Sequence, residues 1–253
     1  MTVETARRKQ LARRLLSLLD LTSLNDTDDP AAVRLLCERA STPAGKVAAV
    51  CIWPRFVPIA ALALRGSGIP VAAVANFPAG GVDAATAARE TADAVAAGAR
   101  EIDVVFPWSV FRAGDAASPL ALVRACRNIC GAGVVLKVIL ETGQLGSDEL
   151  IRHAAHIAIE GGADFLKTST GKTQPGATPG AAAAMLDVIG AEGRRGRAVG
   201  FKASGGVRTI AEAEIYLGLF ESRFGVGSAT STNFRIGASA LLTEVLAALG
   251  PLA

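Results

Sequence analysis

Three short runs place ionisable side chains inside otherwise apolar, β-branched stretches. Glu101-Ile102-Asp103-Val104-Val105-Phe106 carries a carboxylate at Asp103, between valines that mark a buried strand. Asp164-Phe165-Leu166-Lys167-Thr168 and Gly200-Phe201-Lys202-Ala203 each hold a lysine in the same way, and Leu136-Lys137-Val138 adds Lys137. Burying a charge without a partner is costly, so such groups are expected to face one another. Two ammonium groups in one small space repel, and one can lose its proton near neutral pH. A neutral lysine attacks a carbonyl carbon, while its charged neighbour supports that state and takes part in proton transfer. Lys167, Lys202 and Asp103 are therefore the candidate catalytic set, and the chemistry they suggest is that of a lysine-based enzyme.

Glycine turns follow two of the presumed strands. Ser204-Gly205-Gly206-Val207 comes directly after the Lys202 run, and Ile236-Gly237-Ala238-Ser239 precedes the last helical segment. Backbone N–H groups in such turns, together with a helix N-terminus, suit a phosphate dianion. Gly171-Lys172-Thr173 invites comparison with a nucleotide-binding P-loop. The required glycine five residues before Gly171 is replaced by Leu166, so no ATP or GTP site is expected there.

The elements that must hold these residues alternate along the chain. Strand-like runs are Leu21–Leu24, Val47–Ile52, Val71–Asn76, Ile102–Phe106, Val134–Leu140, Phe165–Thr168, Val199–Ala203 and Asn233–Ile236. Helical periodicity appears near Asp83–Gly98, Pro119–Cys130, Ser147–Gly161, Pro179–Gly190 and Ile210–Phe220, with further helices at both ends. Strands separated by helices imply right-handed βαβ units and a parallel sheet. Eight units in 253 residues fit a closed (β/α)8 TIM barrel with an additional N-terminal helix, read as one domain over 1–253. An open doubly wound sheet would be expected to carry a GxGxxG fingerprint after its first strand, and none is present.

Composition narrows the class. Hydrophobic residues make up 51%, enough for one large core, but aromatic residues only 5%, so small and branched aliphatics must fill it. The net charge is +3, with a basic run of Arg7, Arg8, Lys9, Arg13 and Arg14 interleaved with leucines. This reads as an amphipathic helix with a solvated basic side, and no nucleic-acid or membrane partner is expected. The four cysteines show no CxxC or zinc spacing. No apolar stretch reaches membrane-spanning length and no signal peptide is recognised, so a cytoplasmic protein is expected. His153 and His156 share a predicted helix without further ligands, and no metal is expected.

At these residues the sequence resembles the deoxyribose-phosphate aldolases. The most specific match is Phe165-Leu166-Lys167-Thr168-Ser169-Thr170-Gly171-Lys172, in which Lys167 corresponds to the family's Schiff-base lysine. Glu101 to Pro107 matches the strand of the catalytic aspartate, here Asp103. Gly200-Phe201-Lys202 with Gly205-Gly206-Val207-Arg208-Thr209 matches the segment of the second lysine, here Lys202. The resemblance extends to Asp20-Leu21-Thr22-Ser23-Leu24-Asn25, Cys51-Ile52-Trp53-Pro54-Arg55-Phe56, Ala75-Asn76-Phe77-Pro78 and Leu136 to Gly143, from about residue 15 to 249.

The resemblance implies reversible cleavage of 2-deoxy-D-ribose 5-phosphate through an iminium on Lys167, without cofactor or metal. It places Asp20, Thr22, Cys51, Lys137 and Thr170 around the substrate, and Gly171, Lys172, Gly205, Gly206, Gly237 and Ser239 around its phosphate. The partners implied are a phosphorylated sugar and small aldehydes. Members are often dimers, so a homodimer is a candidate assembly. Ala203-Ser204 stands where proline-alanine is common, and Ala240 follows Ser239 where a second serine is frequent, which predicts weaker phosphate binding. Well-studied members end in a tyrosine that assists proton transfer. This sequence ends Gly250-Pro251-Leu252-Ala253, and its one tyrosine, Tyr216, is expected on an outer helix. Enamine protonation is then expected to use water or another group.

Overall fold

The computed structural model describes residues 3–250. The expectation attached to the C-terminal tail at 251–253 lies outside the described residues. Eight parallel strands close into a barrel: β1 (Leu19–Ser23), β2 (Ala49–Ile52), β3 (Val71–Ala75), β4 (Glu101–Val105), β5 (Val135–Ile139), β6 (Phe165–Lys167), β7 (Gly200–Ser204) and β8 (Phe234–Ala238). Each pairs with its neighbours in sequence, and β8 pairs with β1 to complete the ring. No barrel strand has an open edge, and β3, β4, β7 and β8 are buried at every position. Apart from Glu101, Asp103, Lys202, Ser204 and Arg235 their residues are apolar or glycine, which follows from being covered on both faces.

Besides short turns of helix at Pro54–Phe56, Trp108–Arg112 and Thr142–Leu145, the helices are α1 (Val3–Ser17), α2 (Pro30–Arg39), α3 (Val57–Ala63), α4 (Ala84–Ala96), α5 (Ala117–Cys130), α6 (Asp148–Glu160), α7 (Pro179–Gly193), α8 (Ile210–Phe224) and α9 (Leu241–Leu249). One follows each strand from β1 onwards, and α1 precedes them all. Several start where the sequence supplies a cap. The side chains of Asp29, Asp83, Ser147, Thr178 and Thr209 accept from backbone N–H groups in the first turns of α2, α4, α6, α7 and α8. Pro30 and Pro179 occupy first-turn positions where a missing N–H costs nothing.

Helix α1 buries Ala12, Leu15 and Leu16. Its basic side is engaged within the chain: Arg7 pairs with Glu214 at 2.7 Å, Arg8 with Glu244 at 3.5 Å, and Arg14 with Glu221. The basic run thus meets acidic groups of α8 and α9.

The strands lie close to the runs read from the sequence. Helices α2 and α3 and a small antiparallel ribbon, Ser41–Thr42 with Gly45–Lys46, were not anticipated. The seven residues of α3 are too few to display a clear helical period. Among the described residues, no helix is long and apolar enough to cross a membrane. His153 packs its ring against Phe111 at 5.0 Å, and His156 lies 3.9 Å from Glu192, so the two histidines have separate partners. The four cysteines are unpaired and buried.

Candidate active site

Parallel register brings the ionisable residues together. Asp103 on β4 sits beside Lys137 on β5, Lys167 on β6 beside Lys202 on β7, and Lys202 beside Arg235 on β8. Register partners in a parallel sheet point to the same face, here the barrel interior. Asp20 on β1 registers with Gly237 on β8. A Cβ at Gly237 would come within 2.9 Å of Lys202 Cε and 2.8 Å of Ser204 Oγ, so this glycine makes room for the lysine.

The result is a closed ion-pair cluster. Asp103 Oδ2 accepts from Lys167 Nζ at 2.8 Å and Lys202 Nζ at 2.7 Å, and its Oδ1 accepts from Lys137 Nζ at 2.8 Å. Lys202 also donates to Asp20 at 2.5 Å. Lys137 reaches Glu101 at 2.5 Å, and Arg235 spans Asp20 at 2.5 Å and Glu101 at 2.9 Å. All seven side chains are buried. Four basic groups (Lys137, Lys167, Lys202, Arg235) therefore face three acidic ones (Asp20, Glu101, Asp103).

The surplus charge falls on Lys167. Among the described residues its one carboxylate is Asp103, which it shares with two other lysines, whereas Lys202 and Lys137 each contact two carboxylates closely. Burial drives the Lys167 ammonium towards neutrality and Lys202 repels it; Asp103 opposes both, but its pKa still lies below the ordinary lysine value. For Lys202, burial also disfavours the charge, yet Asp103 and Asp20 outweigh it and raise the pKa. For Lys137, burial likewise yields to Asp103 and Glu101, and the pKa rises. Burial alone would protonate Asp103, but Lys137, Lys167 and Lys202 hold it ionised, well below the usual carboxylate range. Asp20 behaves alike: burial works against its charge, and Lys202, Arg235 and Lys137 prevail. Burial pushes the Cys51 thiol up, and its Sγ lies 3.9 Å from Asp103.

Above this layer, at the C-terminal ends of the strands, is a cleft of about 250 Å³ whose lining includes Thr22, Gly171, Lys172, Gly205, Gly237 and Ser239. Thr170 and Gly206 also line it. Active sites of this architecture occupy that end. Gly205 adopts φ 91°, a conformation that favours glycine, and a Cβ there would press on Ser169 and Gly176. Lys172 Nζ lies 3.3 Å from Asp26 at the rim.

The sequence-derived set thus divides in two. Asp20, Lys137, Lys167, Lys202, Asp103 and Cys51 belong to the buried layer, while Thr22, Thr170, Gly171, Lys172, Gly205, Gly206, Gly237 and Ser239 line the cleft. Sequence reasoning did not single out Glu101, Arg235 or Glu141. Glu101 stands two residues before Asp103 and so shares its strand face, and Arg235 interrupts an apolar strand as the lysines do. Those two signals were available.

A family model described as DeoC/LacD family aldolase matches residues 14–230. Among solved structures, the chain is similar to a candidate deoxyribose-phosphate aldolase from Toxoplasma gondii ME49, with a TM-score of 0.90, 26% identity, and coverage of 98% of this chain and 97% of that one. It is also similar to a candidate deoxyribose-phosphate aldolase from Coccidioides immitis, with a TM-score of 0.80, 26% identity, and coverage of 96% and 95%. A deoxyribose phosphate aldolase from Aeropyrum pernix, described as a tetramer, shares the fold at a TM-score of 0.76 and 24% identity, with 97% of each chain covered.

Proposed function

The chain belongs to the DeoC/LacD family of aldolases, and from that premise we propose that it reversibly cleaves 2-deoxy-D-ribose 5-phosphate to acetaldehyde and D-glyceraldehyde 3-phosphate through a Schiff base on Lys167. The observation that carries this reading is the charge imbalance inside the barrel. Of its three buried lysines, Lys167 alone is pushed towards the neutral, nucleophilic form.

In this mechanism the Lys167 nitrogen attacks C1 of the open-chain sugar, and the carbonyl oxygen takes up a proton. The carbinolamine loses water to give an iminium ion. Removal of the C3 hydroxyl proton then breaks the C2–C3 bond, whose electron pair flows into the iminium to leave an enamine. Glyceraldehyde 3-phosphate departs, C2 is protonated, and hydrolysis of the new iminium frees acetaldehyde and Lys167.

Asp103 is a weak base because three ammonium groups stabilise its charge. It therefore acts as a relay, through a water molecule, between the substrate hydroxyl and the cationic Lys202. Lys202 also lowers the Lys167 pKa by repulsion, which favours the neutral form. Gly171, Lys172, Gly205, Gly206, Gly237 and Ser239 bind the phosphate, with Thr22 and Thr170 beside the sugar. The reading treats residues 1–253 as one barrel domain, acting on small molecules in the cytoplasm, with a homodimer as its assembly.

Intact-mass spectrometry after treatment with acetaldehyde and borohydride, followed by peptide mapping, tests it. One added two-carbon unit on Lys167 is expected. Labelling on Lys202 instead would exchange the two roles, and a folded protein that stayed unmodified would remove the basis of the proposal. Turnover of a ketone donor in preference to acetaldehyde would move the substrate to another phosphorylated sugar.

A further inference from the structure

Glu141 is absent from the mechanism above, yet it is a fully buried carboxylate beside the cleft turn. It follows β5 with φ 55° and ψ 58°, a left-handed conformation that a residue with a side chain adopts only when its surroundings impose it. Its side chain is completely buried. Among the described residues it has no cationic partner within ion-pair distance. Every bond its carboxylate makes goes to one residue on the neighbouring loop: Thr170 Oγ1 donates to Oε2 at 2.5 Å, and Thr170 N–H points at both oxygens, at 3.3 and 3.4 Å.

These bonds decide what Thr170 can do. A hydroxyl has one proton, and here that proton is committed to Glu141, leaving the oxygen free to accept. It accepts from Lys172 N–H at 3.0 Å. The turn Thr170-Gly171-Lys172, with Gly171 at φ 80°, is thereby closed by a chain running from the Glu141 carboxylate through the Thr170 hydroxyl to the Lys172 amide. Gly171 and Lys172 line the cleft. A second tie supports the same junction, since Thr142 N–H donates to Thr168 O at 3.0 Å. Lys167 lies on the strand side of that tie, where its ammonium meets Asp103.

We propose that Glu141 is a positioning residue for phosphate recognition: acting through Thr170, it holds the Gly171–Lys172 turn in the shape that binds the phosphate of the substrate, without serving the covalent step at Lys167. This deepens the reading of the cleft as a phosphate site and rests on it. Since the carboxylate engages the turn after β6 and has no contact with the lysine layer, its loss acts on substrate affinity and leaves the amine chemistry intact.

The test compares the parent with Glu141→Ala and Glu141→Gln on 2-deoxyribose 5-phosphate and on unphosphorylated 2-deoxyribose. In Glu141→Ala, loss of the bonds to Thr170 is expected to raise KM for the phosphorylated sugar about tenfold, with kcat and the unphosphorylated reaction changed less than about twofold. Borohydride trapping of acetaldehyde on Lys167 should proceed at the parental rate. Glu141→Gln keeps an acceptor for Thr170 and should recover most of the affinity, with KM raised about threefold. If Glu141→Ala does not fold, that threefold shift in Glu141→Gln carries the test. An equal loss on both sugars, a fall in kcat at constant KM, or no change at all would overturn the proposal.

If the parent itself fails to turn over deoxyribose 5-phosphate, the functional reading fails separately, and calorimetric titration with inorganic phosphate decides the role of Glu141. Binding by the parent that weakens about tenfold in Glu141→Ala sustains the role. Equal binding by both proteins, or none by either, ends it.

Discussion

The two ends of the barrel lie on opposite sides of the same layer of buried charges. Where the strands begin, a cavity of about 740 Å³ opens beside α7 and α8, lined by Phe165, Ile189, Val199, Phe220 and Phe224, with Glu101 and Arg235 at its inner wall. Where the strands finish, the cleft measures about 250 Å³, and its lining is mostly glycine, serine and threonine with Lys172 and Arg208. By size and apolarity the first would be the natural place to look for a ligand. The charges argue the other way. At the lower end Arg235 is matched against Glu101 and Asp20, and burial is outweighed by these carboxylates, so its proton is held more tightly than usual. Among the barrel lysines only Lys167 is left short of negative charge. A nucleophile needs that shortage, and cavity volume does not supply it.

The contrast is broken most severely at its centre. Lys167→Met should lower kcat at least about a thousandfold, since the covalent route disappears, and should abolish borohydride labelling. The same variant should be more stable than the parent at neutral pH, by about 1 kcal/mol or more, because an undercompensated buried cation is gone. Urea unfolding across a pH series adds a sign test. The folded pKa of Lys167 is lowered, so between that value and the ordinary lysine range the unfolded chain binds more protons than the native one. The stability of the parent relative to Lys167→Met must then rise with pH through this window, the penalty being fully present below it and gone above it; the buried thiols, whose raised pKa values lower stability above the ordinary thiol range, act on both proteins. Lys137 and Lys202 have raised values, so their contributions fall away only above the ordinary lysine range and do not mask the slope. A difference between the two proteins that stayed constant with pH would show that Lys167 carries no such penalty.

Lys202→Met should reduce kcat about a hundredfold, as expected for loss of an acid–base partner. It also removes the repulsion that lowers the Lys167 pKa and frees Asp103 and Asp20 from one counterion. The Lys167 pKa should therefore rise, and the acid limb of the kcat/KM profile should move to higher pH. A limb that stayed in place would mean that Lys202 does not set the protonation of its neighbour.

Gly237→Ala is a gentler probe of the upper end. Its Cβ would meet Lys202 Cε at 2.9 Å and Ser204 Oγ at 2.8 Å, so the lysine must shift. Displacing a catalytic group by a fraction of an ångström should cost about tenfold in kcat. Steady-state kinetics with full thermal unfolding curves separates this from a loss of folded protein.

At the lower end the expected effects are smallest. Gly193 closes α7 and lines the large cavity, and a Cβ there would meet nothing within 4 Å. Gly193→Ala should add up to about 1 kcal/mol through helix propensity and change kcat/KM less than about twofold. A larger kinetic effect would show that this end is coupled to the chemistry after all.

Much of this arrangement was legible before the fold was known. Buried strands read as β-branched runs because both faces are covered, and eight such runs separated by helical periods point to a closed barrel. Lys167, Lys202 and Asp103 stood out because a charge inside an apolar strand requires a reason. Helix α3 stayed hidden because seven residues following Pro54-Arg55-Phe56 carry too little period. Glu101 and Arg235 were less legible although each sits in a strand, because a counterion is recognised only once the charge it neutralises lies beside it in space. Glu141 gave less warning: neither its left-handed backbone nor the direction of its carboxylate is visible in Leu140-Glu141-Thr142-Gly143.

The amino-acid sequence by itself determined which side chains share a strand face, because strand periodicity is a local property of the backbone. It also determined where the glycine turns fall and which residues can carry amine chemistry. Only the closed barrel decided how the charges are shared. Arg235 meets Glu101 across 134 positions of chain, Lys202 meets Asp20 across 182, and Asp103 is divided among three lysines. Which lysine loses its proton depends on those long-range pairings and on the exclusion of water around them. Electrostatic energies follow distance in space and local dielectric, neither of which is written in the order of the residues.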